Sequence, residues 1–242
     1  GFSGRKIEQL MEQRVIRCEE LDGLLVTHEH SDHIKGVGVL ARKYGLKVYA
    51  NEKTWKAMEK QVGVIPEDQK AYITTGETLD FGKMSIDTFP LSHDAAEPIS
   101  FSFYDNDYRV SLVTDTGYLS PAIREKVHDS DVLILESNHD TDMLRVGRYP
   151  WNVKRRILSD LGHLSNNDAG EGLYQLITER TQRIYLAHLS LDHNMQELAR
   201  MTVDQVANEM GICLKDRNIQ LMDTYSDRPT AWDQVGRKEV PI

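Results

Sequence analysis

Apolar positions along the chain change period in a way that separates helices from strands. Arg5 to Arg14 sets Ile7, Leu10 and Met11 at helical spacing, the pattern of an amphipathic helix. Leu24-Leu25-Val26 is a short apolar run, which predicts a buried strand of the parallel type. His33 to Tyr44 returns to the helical period, with Ile34, Val37, Leu40, Ala41 and Tyr44 on one face and Gly45 as C-terminal cap. Gly36 and Gly38 weaken that helix but permit close packing. Leu46 to Ala50 predicts a strand, and Asn51 caps a helix through about Lys60. Ala71 to Thr114 reads as successive strands with turns at Phe81-Gly82 and Asp105-Asn106-Asp107.

Two of those strands end next to polar residues. Ser85 to Leu91 leads to His93, and Tyr108 to Thr114 delivers Asp115. Ser120-Pro121 opens a helix. Asp131 to Glu136 is an apolar strand ending in a carboxylate, and Met143 to Asp160 is a basic stretch expected to be helical. A helix capped by Ser165 or Asn166 runs to about Thr178, followed by a strand from Arg183 to Ala187 that ends at His188. Asn194 to Met210 is a helix, and Ile219 to Met222 a last strand. Strands alternating with helices indicate an α/β fold. No repeat, low-complexity tract or linker interrupts the 242 residues, so a single domain over 1–242 is expected.

Composition narrows the class. The formal charge of −9 argues against a protein that coats nucleic acid through bulk charge. It does not exclude a nuclease, because bound cations and a local basic patch can receive phosphates. No run of about 18 apolar residues exists to cross a membrane. Cys18 and Cys213 lie far apart and match no metal spacing, so a reduced, cytoplasmic protein is the expectation.

The densest chemistry lies in Thr27-His28-Glu29-His30-Ser31-Asp32-His33. Strand period would put His28, His30 and Asp32 on one side, with His33 swinging in from a first helical turn. Imidazole and carboxylate suit a divalent ion such as Zn²⁺, Mn²⁺ or Fe²⁺. The plain alternative is a solvated polar loop, which four ligand-type residues at this spacing disfavour. Arg145, Arg148, Lys154, Arg155 and Arg156, with Tyr149 and Trp151, form the one strongly basic stretch. Arginine forks suit phosphates and the aromatics can stack on bases; a solvated helix face accounts for the stretch equally well. Ser165 and Asn166 open a helix beside His163, a place that can bind phosphate or be ordinary capping. His128, His139 and His193 receive no role, though His139 is near enough to Glu136 to support it.

At His28, His30, Asp32 and His33 the chain resembles the metallo-β-lactamase superfamily, whose signature is His-X-His-X-Asp-His. His93, Asp115 and His188 follow in the order of that superfamily's later ligands. The segments Glu136-Ser137-Asn138-His139-Asp140 and Gly162-His163-Leu164-Ser165-Asn166 resemble its WalJ/YycJ branch, described as a 5′-to-3′ DNA exonuclease. The resemblance implies an αββα sandwich of two mixed sheets flanked by helices. It also implies two divalent ions per chain, Mn²⁺ favoured and Zn²⁺ admissible. His28, His30 and His93 would hold one ion, Asp32, His33 and His188 the other, and Asp115 would bridge them. A shared hydroxide would attack phosphorus, with Asp32 in the catalytic set and His163 as general acid oriented by Glu136. A competing assignment makes His163 the seventh ligand in place of His188.

In that family one or two strands and an Asp-X-Gly turn precede this point. Gly1-Phe2-Ser3-Gly4 resembles the tail of that turn, so the N-terminal strands are expected to be missing and a sheet edge exposed. The expected substrate is DNA, duplex or single-stranded, with no membrane partner and a homodimer left open. The alternatives are a small-molecule hydrolase on the same fold, such as a cyclic phosphodiesterase or a thioester or lactone hydrolase, and a non-enzymatic scaffold. A complete ligand set argues against the last.

Overall fold

The computed structural model describes residues 2–236; Gly1 of the turn-like tail and 237–242 of the polar terminal segment lie outside the described residues. The first third of the chain builds a small layer. Helix α1 (Gly4–Glu12) is followed by β1 (Gly23–Leu25), α2 (Ser31–Ile34), α3 (Val37–Tyr44), β2 (Lys47–Ala50), α4 (Glu52–Val62) and β3 (Lys70–Tyr72). Strands β1, β2 and β3 pair in parallel, so this sheet is parallel rather than mixed among the described residues. The helix expected over His33 to Tyr44 divides into α2 and α3 at Lys35-Gly36, where glycine's backbone entropy costs roughly 1 kcal/mol in a helix interior.

The large layer follows. Strands β4 (Thr78–Phe81), β5 (Met84–Pro90), β6 (Ile99–Asp105) and β7 (Tyr108–Val113) form an antiparallel meander. Helix α5 (Pro121–Val127), β8 (Val132–Glu136), α6 (Thr141–Val146), α7 (Trp151–Ile157), α8 (Asn166–Leu176), β9 (Arg183–Ala187), α9 (Gln196–Glu209) and β10 (Gln220–Asp223) complete the fold. The sheet order is β10-β9-β8-β7-β6-β5-β4, parallel from β7 to β10. The basic stretch is two helices rather than one. Pro150 disfavours helical backbone at Tyr149 and supplies no N–H, so a turn separates α6 from α7.

Apolar alternation explains the layering. On β2, Val48 and Ala50 face α3 and α4 with Trp55 and Met58, while Tyr49 faces the other sheet. Leu25, Tyr49 and Ile73 meet Ile86, Ile99 and Phe101 between the two sheets. Leu133, Leu135, Ile184 and Leu186 face α5, α8 and α9. This is an αββα sandwich. Truncating a fully buried member such as Leu135 to alanine costs about 2–5 kcal/mol, a large share of a typical 5–15 kcal/mol.

Candidate metal centre

Strands β7, β8 and β9 are parallel neighbours, with Val113 opposite Leu135 and Glu136 opposite Ala187. Asp115, Glu136 and His188 therefore emerge side by side from their C-terminal ends, the side where open α/β sheets build sites. His93 follows β5. The small layer supplies the other wall: His28 and His30 lie between β1 and α2, and Asp32 and His33 lie in α2. The strand itself ends at Leu25, short of the period expected through Asp32, and Asp32 reaches the site from a helical turn.

Asp115 (φ 62°) and His188 (φ 58°) both have left-handed backbone, which costs a non-glycine residue roughly 1–2 kcal/mol. Neighbouring hydrogen bonds hold these turns in place. Thr116 N donates to Glu136 Oε2 at 3.0 Å, and Gly117 N donates to Ser92 O at 2.9 Å. Asn138 Nδ2 donates to His188 O at 2.8 Å. Glycine would adopt such turns more readily but would carry no ligand.

The side chains converge in overlapping groups. His28, His30 and His93 offer ligand atoms within 4.8 Å of one another, as do His28, His33 and Asp115, and Asp32, His33 and His188. Asp115 stands between them, with Oδ2 3.3 Å from His33 Nε2 and Oδ1 3.7 Å from His93 Nε2. Glu136 is fully buried, and its Oε1 accepts from two imidazoles, His163 Nδ1 at 2.9 Å and His188 Nδ1 at 2.8 Å. His188 Nε2 then faces Asp32 Oδ2 across the site at 3.8 Å. His163 groups instead with Asp115, Glu136 and His188, all from the large layer. His93 Nδ1 donates to Gly162 O at 3.0 Å, which turns its Nε2 toward the cluster. A Cβ at Gly162 would lie 2.1 Å from Ile157 O, so only glycine fits at this crossing.

Electrostatics follow from six imidazoles packed on three carboxylates. Burial pushes His28 down to about 3, reinforced by His33, and burial also lowers His93. Burial opposes charge on His33 and His188 as well, but Asp115 and Asp32 beside His33, and Asp32 and Glu136 beside His188, raise both. The imidazoles of His188 and His33 beside it hold Asp32 well below the usual carboxylate range. Burial would raise Asp115 and Glu136; the surrounding histidines outweigh it and lower both.

His28 Nε2, His33 Nε2 and Asp115 Oδ2 are buried without a hydrogen-bond partner. Orphaned buried polar atoms cost about 1–3 kcal/mol each. Three of them converging from one ligand group fit a divalent cation, and the N/O donor set fits a borderline or hard one. A cavity of about 460 Å³ opens onto this cluster, lined by Asp32, His163 and His188 together with Tyr149 and Arg156. A larger hollow of about 620 Å³ beside Trp55 and Tyr72 gathers no such cluster of ligand atoms among the described residues, so chemistry rather than size locates the site.

Residues 4–189 match the Beta-lactamase superfamily domain. The chain is 51% identical over 230 residues to Exodeoxyribonuclease YycJ of Bacillus anthracis, covering 95% of this chain and 87% of that protein. The chain belongs to the metallo-β-lactamase superfamily. Exodeoxyribonuclease WalJ of Streptococcus pneumoniae is 46% identical over 239 residues, covering 97% of this chain and 88% of that protein. Among solved structures, the metallo-β-lactamase fold protein YhfI from Bacillus subtilis superposes with a TM-score of 0.67 at 18% identity, covering 91% of this chain and 80% of that one. Sequence places this superfamily member in the YycJ/WalJ branch, and the YhfI superposition shows the shared fold.

On this superfamily scaffold the basic stretch divides its labour. Arg156 lines the cavity, and its Nη2 donates to Asp94 Oδ1 at 2.9 Å. Arg145 is exposed and pairs with Asp142 at 3.5 Å, while Arg148 and Arg155 are exposed at the surface. Lys154 is buried and ties α7 to α6 through the Arg145 and Gly147 carbonyls, a structural task. Ser165 and Asn166, expected at a phosphate site, are buried instead. The Ser165 hydroxyl closes a capping box with Asp168, and the Asn166 amide is engaged by Ser137 and Asn194, because the turn after His163 packs inward on β8. Asp94 was not singled out in the sequence. It approaches His93 Nε2 at 3.6 Å and His30 Nε2 at 3.9 Å while holding Arg156, and its adjacency to His93 was the available signal. Thr27, which places Oγ1 3.1 Å from His28 Nδ1, carried no such signal.

Proposed function

We propose that this chain is a metal-dependent exodeoxyribonuclease that removes nucleotides from DNA in the 5′-to-3′ direction, in the cytoplasm, with two divalent ions, Mn²⁺ favoured over Zn²⁺. The observation that carries the reading is the Glu136–His163 pair held at the edge of two ligand groups that share Asp115, all opening on one cavity. Relatives named exodeoxyribonucleases at 46% and 51% identity support DNA as the substrate. No helix among the described residues is long and apolar enough to cross a membrane.

His28, His30 and His93 would hold one ion, Asp32, His33 and His188 the other, with Asp115 between them. Bound there, divalent cations supply Lewis acidity that lowers the pKa of water to near 7 and offsets charge developing on a phosphate. The chain's own groups do the rest. Glu136 Oε1 accepts from Nδ1 of His188 and so presents the Nε2 lone pair to the site. The same oxygen accepts from Nδ1 of His163. As general acid, His163 would deliver a proton from Nε2 to the departing sugar oxygen, and the Nδ1–H tautomer that remains is the one Glu136 stabilises. Arg156, on the cavity wall, is placed to receive a phosphate oxygen.

The test is digestion of end-labelled duplex DNA, single-stranded DNA and RNA, with a small phosphodiester in parallel, in Mn²⁺ or Zn²⁺. Stepwise loss of mononucleotides from the 5′ end of DNA is the expected result. Turnover confined to the small phosphodiester would overturn DNA as substrate and move the reading to a small-molecule hydrolase.

A further inference from the structure

Tyr149 is built into the cavity wall with unusual support. It lines the space above the ligand cluster and keeps 37% of its surface exposed. Its hydroxyl donates to Asp192 Oδ2 at 2.8 Å. Its ring packs against His193, with centroids 4.4 Å apart and planes inclined by 68°. His193 is itself buried, its Nδ1 has no hydrogen-bond partner, and its backbone carbonyl accepts from Asp140 N at 2.9 Å. A Cβ on Gly147 would lie 2.2 Å from His193 Nε2, so glycine is required for the imidazole to sit where it does. A buried imidazole nitrogen left without a partner costs free energy, and this imidazole is held between Tyr149 and Gly147. Asp192 holds the hydroxyl and His193 packs against the ring, so both ends of the Tyr149 side chain are supported at the cavity wall. Pro150 adds to this by restricting the backbone of residue 149.

We infer that Tyr149 is the stacking platform for the base of the terminal nucleotide whose phosphodiester lies at the ligand cluster. This rests on the proposed action on DNA and names the subsite that takes the base. A rigid aromatic ring accepts any base, because every base presents a π-face, and a ring fixed beforehand loses little entropy on binding. Arg156 on the same wall takes the adjoining phosphate, so one wall reads base and backbone together.

The experiment compares two oligonucleotides, one with a normal nucleotide and one with an abasic residue at the end that is digested. kcat/KM is measured on both for the wild type, Tyr149→Ala and Tyr149→Phe. The wild type should prefer the normal end by roughly 5- to 150-fold, the range that base–aromatic stacking gives. In Tyr149→Ala that preference should fall to near one. Tyr149→Phe should keep most of it, since the ring remains while the Asp192 anchor is lost. A preference unchanged in Tyr149→Ala overturns the inference while leaving the nuclease reading intact. A uniform loss on both substrates with the preference preserved assigns Tyr149 a structural role and also overturns it. If the wild type digests neither oligonucleotide yet hydrolyses methyl p-nitrophenyl phosphate, the nuclease reading itself fails.

Discussion

Replacing Glu136 by glutamine keeps its volume and removes its charge, and the consequences can be worked from four hydrogen bonds. Oε1 accepts from two imidazoles at 2.9 and 2.8 Å, and Oε2 accepts from Thr116 N at 3.0 Å and Leu164 N at 3.2 Å. A carboxamide has one acceptor and one donor end, so it can serve only one of these pairs. With its oxygen toward the backbone, its NH₂ confronts two Nδ1–H donors. Both histidines must then shift their proton to Nε2, which removes the lone pair His188 presents to the site and reverses the tautomer of His163. With its oxygen toward the histidines, two buried backbone N–H groups lose their acceptor. Each charge-assisted bond lost costs about 1.5–3 kcal/mol, partly offset because a buried charge is removed as well. Turnover should fall by about 10²–10⁴-fold, the cost of misorienting a catalytic imidazole. The assay is kcat on labelled DNA at saturating Mn²⁺, with bound metal per chain and the thermal midpoint measured alongside. Because Glu136 and His163 act as a unit, Glu136→Gln combined with His163→Ala should be little worse than either alone. A Glu136→Gln enzyme with full metal content and kcat within tenfold of wild type would refute this reasoning.

His163→Ala should retain its metal yet lose about 10²–10⁴-fold in turnover; loss of metal from that variant would mark His163 as a ligand instead. Arg156→Ala should change stability by under about 1 kcal/mol, since its side chain is 57% exposed, yet weaken DNA binding and reduce the salt slope by about one. Titration of binding affinity against salt checks this, and an unchanged slope removes Arg156 from the phosphate path. Burial pushes His139 down to about 4, below its unfolded value of about 6.5. The unfolded chain therefore binds the proton more readily, so this contribution is intact above pH 6.5 and lost as pH falls toward 4, by about 2 kcal/mol at pH 5. His139→Leu should flatten that limb, as read by denaturant unfolding at pH 7.5 and pH 5 in chelator; an equal loss in both proteins removes His139 as the cause.

Legibility in the sequence followed the strength of local patterning. Arg183 to Ala187 reads as a strand because its apolar run is short and sharply bounded, and β9 spans those residues. Asn51 and Ser120 announce their helices because capping is a local hydrogen bond, seen here to Thr54 N and Ile123 N. The candidate ligands were legible as imidazoles and carboxylates at strand ends, and the structure brings them into overlapping groups. What escaped depends on packing across distance. Gly36 and Pro150 each break a stretch that periodicity alone joins. The burial of Ser165 and Asn166 is decided by Ser137 and Asn194 on distant segments, and no spacing rule carries that information. Asp94 gains its place only because α7 brings Arg156 against it.

The histidine loop hangs from the small layer, whereas Asp115, Glu136 and His188 hang from the large one. Elsewhere these layers meet through Leu25, Tyr49 and Ile73 against Ile86, Ile99 and Phe101, and through hydrogen bonds such as Ile99 N to Thr27 O and Asn51 Nδ2 to Glu97 O. A cation gripped from both sides would therefore act as a rivet across the sandwich as well as a reactant. Affinity for the ion and rigidity of the fold are then tied together, and selection cannot loosen one for faster product release without softening the other.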